Sequence, residues 1–267
     1  MSGPHRLPIS AVVITRDAAR HIAAVLDAVD FCAERLVLDS GSVDETRAIA
    51  EAAGARVESQ TFLGYGPQKR RAVELASHDW ILSLDADEVL DDTARAACLR
   101  LELSDPAACW EIRRRTFVGR REIRHGVWRG ERVLRLFNRT TAAFKPLPVH
   151  EEVEATRSPR LLPGSILHYG FTDCRDVLAR SLRYAPLKAE ILRATGRPTG
   201  SWVLPFRGLA AFVKSYVLRS GWRDGGPGFV IALGRVIDST LPRVLVLEEP
   251  DGRADESPGP NRRTISR

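Results

Sequence analysis

The stretch Ile81–Leu90, ILSLDADEVL, decides how this chain is read. Its first half is an apolar run of strand length, and it ends abruptly in Asp85, Asp87 and Glu88. Carboxylates packed that closely repel one another, and each is costly to bury without a partner. Either they sit in water at a loop or a positive group binds among them. Asp-x-Asp at a strand exit brings two carboxylates near each other with the middle side chain turned away. That suits a hard divalent cation such as Mg²⁺ or Mn²⁺. The same acids also suit the start of a following helix, where Glu88, Asp91 and Asp92 would favour its dipole.

Working towards the N-terminus, strand and helix patterns alternate. Residues 9–15 (ISAVVIT), 35–40 (RLVLDS), 55–59 (ARVES) and 79–85 (DWILSLD) read as strands. Between them, 17–29, 44–53 and 68–76 carry helical spacing. This alternation predicts an α/β fold, a mostly parallel sheet with helices on both faces. Ligands of such sheets sit at the carboxyl ends of the strands. Three polar exits then face one rim: Thr15-Arg16-Asp17, Asp39-Ser40-Gly41-Ser42 and Asp85-Ala86-Asp87. Asp39, just leaving its strand, can accept hydrogen bonds from a base or ribose. Asp44 reads as a turn or helix-cap residue.

From about Trp110 the pattern changes. CWEIRRRTFVG, REIRHGVW and ERVLRLFNR read as a hairpin-like β region, SILHYGF (165–171) as a further strand, and 173–195, 202–219 and 228–240 as helices. The residues from 248 onward, rich in Pro, Gly and charge, read as disordered. In 202–219, Phe206, Leu209, Val213, Tyr216 and Val217 share one face, with Arg207 and Lys214 on another. That spacing fits a helix lying on anionic lipid, and equally one packed on the catalytic domain.

Composition narrows the function classes. The chain has 267 residues, 44% hydrophobic and 28% charged, as in ordinary globular proteins. Its net charge of +6 is concentrated between Glu111 and Arg139, where ten arginines face three acids. Such a segment could neutralise a nucleic-acid backbone. It contains no nucleic-acid module, and an acidic rim opposes a polyanion, so no nucleic-acid partner is expected. Four scattered cysteines without a Cys-x-x-Cys pair exclude a zinc ribbon or redox motif. With no apolar leader and no run of 18 uncharged apolar residues, the expectation is a cytoplasmic protein without a membrane span.

Taken in order, ISAVVITRDAARHI, LVLDSGSVDETRAIAEAAGARV, GYGPQKRRAVELASHDWILSLDADEVL, RLF and VHEEV resemble family 2 glycosyltransferases. The branch that includes lipopolysaccharide-core β-glucosyltransferases is the most similar. The resemblance covers residues 9 to 170, and more weakly to about 240. It implies a GT-A-type fold: a mixed sheet flanked by helices, with a β-rich acceptor region and C-terminal helices. It also implies a nucleotide-diphosphate sugar donor, usually UDP-linked, Mg²⁺ or Mn²⁺ at Asp85-Ala86-Asp87, and inversion in a single displacement. The expected acceptor is a saccharide or lipid-linked saccharide of the cell envelope, handled at the cytoplasmic face of the inner membrane with a peripheral membrane contact.

On this resemblance residues 1–110 form a nucleotide-sugar-binding half and 111–172 a β-rich acceptor half. Residues 173–247 form a helical, membrane-interfacial region, and 248–267 a disordered tail. Thr15 and Asp39 match positions near the uridine, and Gln68 and Lys69 lie on the nucleotide side. Asp87 is the expected metal ligand, with Asp85 nearer the ribose or supporting the metal through water. Glu88 starts the next helix or stands behind the metal. Arg132 and Arg135 in ERVLRLF can fork onto the phosphates, or simply form a solvated basic face. Glu151 is the expected general base, with His150 beside it and Glu152 on the other face of the strand. A structural salt bridge to the arginine-rich segment is the alternative for Glu151. Trp128 is a candidate for stacking on a sugar, while Trp80 and His168 read as structural.

Two departures concern the base. Relatives often have Lys-Asn-Glu in place of Arg16-Asp17-Ala18, and many have Asp-Asp-Gly in place of Asp39-Ser40-Gly41. A rival reading is a haloacid-dehalogenase-type phosphatase, with Asp85 as nucleophile and Asp87 as acid. It also needs a later lysine at a strand end, and Lys145, Lys188 and Lys214 offer none clearly placed.

Overall fold

The computed structural model describes residues 6–145, 152–196 and 200–248. The chain forms two compact units, Met1–Asp173 and Cys174–Arg267.

In the first unit the alternating half runs β1 (Leu7–Thr15), α1 (Ile22–Asp27), β2 (Cys32–Asp39), α2 (Thr46–Ala52), β3 (Arg56–Ser59), α3 (Tyr65–Leu75) and β4 (Trp80–Asp85). The four strands are parallel, in the order β3-β2-β1-β4. Alternation sets the two faces. Ile9, Ala11 and Val13 of β1 pack with Val25 and Leu26 of α1 and Ala50 of α2. Val12 turns the other way, into a cluster with Leu36, Leu38, Ile81 and Ala72 of α3.

The sheet then becomes mixed. After β5 (Glu88–Leu90) and α4 (Asp92–Cys98) come β6 (Cys109–Val118), β7 (Arg121–Ile123), β8 (Arg132–Asn138), β9 (Ala142–Phe144), β10 (Val153–Ala155) and β11 (Arg160–Phe171). Beyond β4 the order is β8-β6-β11-β5, with β8 antiparallel to both neighbours and β11 parallel to β6. β5 follows β4 after two residues yet stands at the far end of the strand order, so the sheet must curl back on itself. β7 pairs with β6, and β9 with β10 form a separate hairpin.

Two expectations are corrected. Within REIRHGVW only Arg121–Ile123 is strand, and Gly126–Trp128 is a 3₁₀ turn, as its glycine and lack of continuing partners allow. Glu88 opens strand β5 instead of a helix. Asp91 is the residue that caps α4, accepting from the backbone N–H of Ala94 at 2.8 Å.

The second unit contains α5 (Cys174–Ala194), α6 (Leu204–Val213), a π-helical turn at Lys214–Leu218, a 3₁₀ turn at Gly221–Asp224 and α7 (Gly225–Glu248). α7 packs on α5 and α6, and Lys188 on α5 pairs with Asp238 on α7 at 2.6 Å. Among the described residues, no helix is long and apolar enough to cross a membrane.

Candidate active site at the strand ends

Register places the three expected exits on one edge. Thr15 stands opposite Asp39, and Ile14 opposite Asp85. The loops after β1 and β2 are stitched together. Asp17, in the left-handed region at φ 50°, accepts from the N–H of Val43 at 2.8 Å, and its own N–H donates to Ser42 Oγ at 2.9 Å. Ala18 N–H donates to Thr46 Oγ1 at 2.7 Å, and Ala19 N–H to Asp44 at 3.1 Å. Asp44 thus serves as the turn residue its sequence suggests, binding Thr46 as well.

Asp39 is buried and folds onto its own loop. Oδ2 accepts from the N–H groups of Gly41 (3.1 Å) and Ser42 (3.0 Å), and Oδ1 from Ser42 Oγ. Gln68, also buried, donates to Ser40 Oγ at 3.0 Å and accepts from Leu63 N–H. Thr15 Oγ1 is buried with no hydrogen-bond partner among the described residues. Such an atom costs free energy unless a ligand completes it.

Asp85 is enclosed by cations. Its Oδ1 lies 2.6 Å from Lys69 Nζ, and its Oδ2 accepts from Arg135 Nη2 at 2.8 Å. Burial pushes the Asp85 pKa up, but the charges of Lys69 and Arg135 outweigh it and hold the carboxyl well below the usual range. Lys69 is buried, with its ammonium 5.8 Å from the centre of the Phe144 ring. Arg135 also donates to Glu88 Oε1 at 2.7 Å. Glu88, fully buried, in turn accepts from Asp85 N–H at 3.1 Å and pairs with Arg114 at 3.3 Å. The aim of Arg135 has a local cause. Pairing between β6 and β8 slips by one residue, from Trp110–Leu136 to Glu111–Leu134, so Arg135 is the extra residue of a bulge.

Asp87 is as exposed as Asp85, at 29% against 27%, and differs from it in partner. Its Oδ1 lies 3.7 Å from His168 Nε2. The two meet because β5 pairs with β11, setting His168 opposite Glu88, while Tyr169 N–H donates to the Asp87 carbonyl at 2.9 Å. Gly170 preserves the space between them. A Cβ there would fall 2.4 Å from His168 Nε2 and 3.3 Å from Asp87 Oδ2. Thr116 Oγ1 stands 3.4 Å from the other ring nitrogen of His168. Beside this pair, His21 stacks on Tyr169 at 5.5 Å, and Phe117 stacks on the same tyrosine at 5.0 Å. Burial and then the charge of Arg20 lower the His21 pKa, against the opposing pull of Asp87.

A carboxylate and an imidazole separated by an open gap fit a divalent cation that completes its shell with ligand oxygens. Among the described residues, no group of three or more His, Cys, Asp or Glu is arranged to hold a metal by itself.

The remaining candidates lie elsewhere or are otherwise engaged. Arg132 is exposed and donates to Glu111 at 2.9 Å, away from the Asp85 cluster. Trp128 stacks on Phe171 at 4.9 Å, and Phe171 lies 6.3 Å from the His168 ring. Trp80 is a core residue against Trp110, as its place in the strand suggested. Glu152 pairs with Lys145 at 2.7 Å. His150 and Glu151 lie outside the described residues, as does the expected disordered tail beyond Glu248. All three acids of the arginine-rich segment are paired within it: Arg132 binds Glu111, Arg115 and Arg124 bind Glu122, and Arg114 binds Glu131. The sequence did not show that His168 and Gly170 stand at Asp87, because strand pairing alone brings them there. The glycine two residues after the histidine in LHYGF was the one local signal.

A curled α/β sheet with a carboxylate rim at its parallel strand ends defines a class of nucleotide-binding enzymes. A family model for glycosyl transferase family 2 matches residues 10–157. The chain belongs to that family, which sets the phosphatase reading aside, and its fold is the GT-A-type sheet expected. It is 29% identical to the lipopolysaccharide core biosynthesis glycosyltransferase LpsC of Rhizobium meliloti, over 85% of this chain and 87% of that one. It is 28% identical to an uncharacterized glycosyltransferase of Rickettsia felis, over 83% of each. Among solved structures, glucosyl-3-phosphoglycerate synthase from Mycobacterium tuberculosis, with Mn²⁺, UDP and glucosyl-3-phosphoglycerate, matches at 26% identity and TM-score 0.32. That overlap takes in 41% of this chain and 43% of that one, less than half of either.

Proposed function

We propose that this chain is an inverting, metal-dependent glycosyltransferase. In this reading it moves a sugar from a UDP-linked donor to a saccharide or lipid-linked saccharide of the cell envelope, at the cytoplasmic face of the inner membrane. Family membership supports sugar transfer, and the relative from Rhizobium meliloti supports a lipopolysaccharide-core acceptor. The observation that carries the mechanism is the split between Asp85, neutralised by Lys69 and Arg135, and Asp87, set 3.7 Å from the imidazole of His168.

Asp87 and His168 would hold Mg²⁺ or Mn²⁺, which when bound stabilises the charge that grows on the leaving diphosphate. Lys69 and Arg135 keep Asp85 ionised and fixed, so the rim presents a defined field without rearranging during reaction. The unpartnered Thr15 hydroxyl and the Asp39 loop face the nucleoside, with Gln68 bracing Ser40. Arg132 can turn towards the phosphates only by leaving Glu111. Trp128, stacked near His168, forms a sugar-side wall. Glu151 takes the proton from the acceptor hydroxyl as it attacks the anomeric carbon, opposite the departing diphosphate, with His150 beside it.

A thermal-shift series with UDP, GDP and their sugars, with and without Mn²⁺, tests this reading. UDP with Mn²⁺ should raise the melting temperature more than UDP alone. Nucleotide affinity indifferent to metal would overturn the role of Asp87. Glu151→Gln should keep donor binding while transfer falls by about 10²–10⁴. Loss of both would make Glu151 structural.

A further inference from the structure

We propose that residues 200–223 form a seat for an anionic lipid surface. The segment carries Arg207, Lys214, Arg219 and Arg223 and contains no Asp or Glu. All four cations are exposed. So are its large apolar residues: Trp202 is 76% exposed, Phe206 67%, Leu209 63%, Leu218 74% and Trp222 57%. Spacings of three and four residues place Trp202, Phe206 and Leu209 on one side of the turn and α6.

That side is distinct from the one α6 uses for packing. Gly208 is buried, and a Cβ there would meet Val236 and Thr240 of α7 at 3.2 and 3.3 Å. Ser215 is likewise buried. The apolar stripe is therefore surplus to the core of this unit, and contiguous surplus apolar surface marks an interaction site. Beside it opens a groove of about 350 Å³ lined by Leu204, Pro205, Gly208, Leu209, Phe212 and Val236. Its apolar walls suit a segment of acyl chain.

Charge selects the occupant. Cations interleaved with exposed apolar residues, with a tryptophan near each end, match the phosphates and the apolar boundary of a bilayer. Arginine and lysine stems can lie along the acyl boundary while their heads reach the phosphates. A second copy of this chain on the same face would oppose like charges. With no spanning helix among the described residues, the contact lies in the plane of the surface.

The test uses the full chain and vesicles of phosphatidylcholine with or without phosphatidylglycerol. The chain should float with the mixed vesicles and not with phosphatidylcholine alone, with a blue shift in tryptophan emission. Phe206→Ser, Leu209→Ser and Leu218→Ser together should weaken binding by roughly tenfold or more. Arg207→Gln with Lys214→Gln, which leaves the apolar surface whole, should weaken it by roughly thirtyfold. Equal binding to both vesicle types, no binding to either, or unchanged affinity of the charge variant would overturn the proposal. So would a dimer that the apolar triple variant disperses. Both variants should keep the UDP–Mn²⁺ thermal shift, so this proposal and the transferase reading can fail separately.

Discussion

The carboxyl end of the parallel strands holds a kind of acid that the amino end does not. Near the amino end, Glu34 accepts from Ser10 Oγ (2.5 Å), Ser77 N–H (2.6 Å), Ser77 Oγ (2.8 Å), and Arg56 Nε (3.2 Å) and Nη2 (2.9 Å). Burial raises its pKa, but those bonds outweigh burial and lower it to about 2. At the carboxyl end, Asp85 is closed in the same manner by Lys69 and Arg135. Two residues later, Asp87 has no more exposure but stands 3.7 Å from the imidazole of His168. An acid held by guanidinium, ammonium and hydroxyl groups is fixed in the fold, whereas one facing an imidazole stands beside a second metal-ligating group. Neither the number of acids nor their burial separates them. What separates them is the kind of partner, cations and hydroxyls at Glu34 and Asp85, an imidazole at Asp87.

This contrast makes predictions in which stability and activity part company. The largest effect is expected at Asp87→Asn, where transfer should fall by about 10²–10³ while the urea midpoint barely moves. A comparable loss of folding stability would place Asp87 with the structural acids. Asp85→Asn strips a counter-charge from two buried cations, so unfolding free energy should drop by about 3 kcal/mol. Unchanged stability would mean that Lys69 and Arg135 are adequately held by other groups.

Glu34→Gln should cost about 2 kcal/mol in the same denaturation experiment, with the UDP–Mn²⁺ thermal shift retained. The pH dependence follows from the same residue. Because the folded pKa of Glu34 is depressed, its stabilisation is complete above the unfolded carboxylate value. It is lost as pH falls from about 4.5 through about 2. Melting temperature should decline over that window, and less steeply in Glu34→Gln; identical slopes would refute the assignment. The smallest effect is expected at Arg132→Gln, within about 0.5 kcal/mol in stability, since its pair with Glu111 is exposed. A large fall in nucleotide affinity there would return Arg132 to the site.

Much of the architecture was legible because local patterns carry it. The apolar runs of β1, β2 and β4 and the helical spacing between them predict parallel strands whose polar exits share an edge, and the register of Thr15, Asp39 and Asp85 shows that edge. The helices of the second unit were also visible as periodicity. The site was less legible. Lys69 reads as a nucleotide-side residue at a helix start, yet lies buried with its ammonium on Asp85. Arg132 and Arg135 read as equivalent members of one basic strand, but a one-residue slip against β6 separates them.

The sequence alone determined the strand–helix alternation, the acidic strand exit and the family, because periodicity, turn chemistry and ordered motifs are properties of neighbours along the chain. Tertiary structure decided which acid meets cations and which meets an imidazole. Asp87 and His168 are far apart in sequence and meet only because the sheet curls until β5 pairs with β11. Arg135 reaches Asp85 and Glu88 only through a bulge in a pairing that no local pattern encodes. Long-range strand pairing sets those distances, and at this rim they separate a carboxylate paired with two cations from one set beside an imidazole.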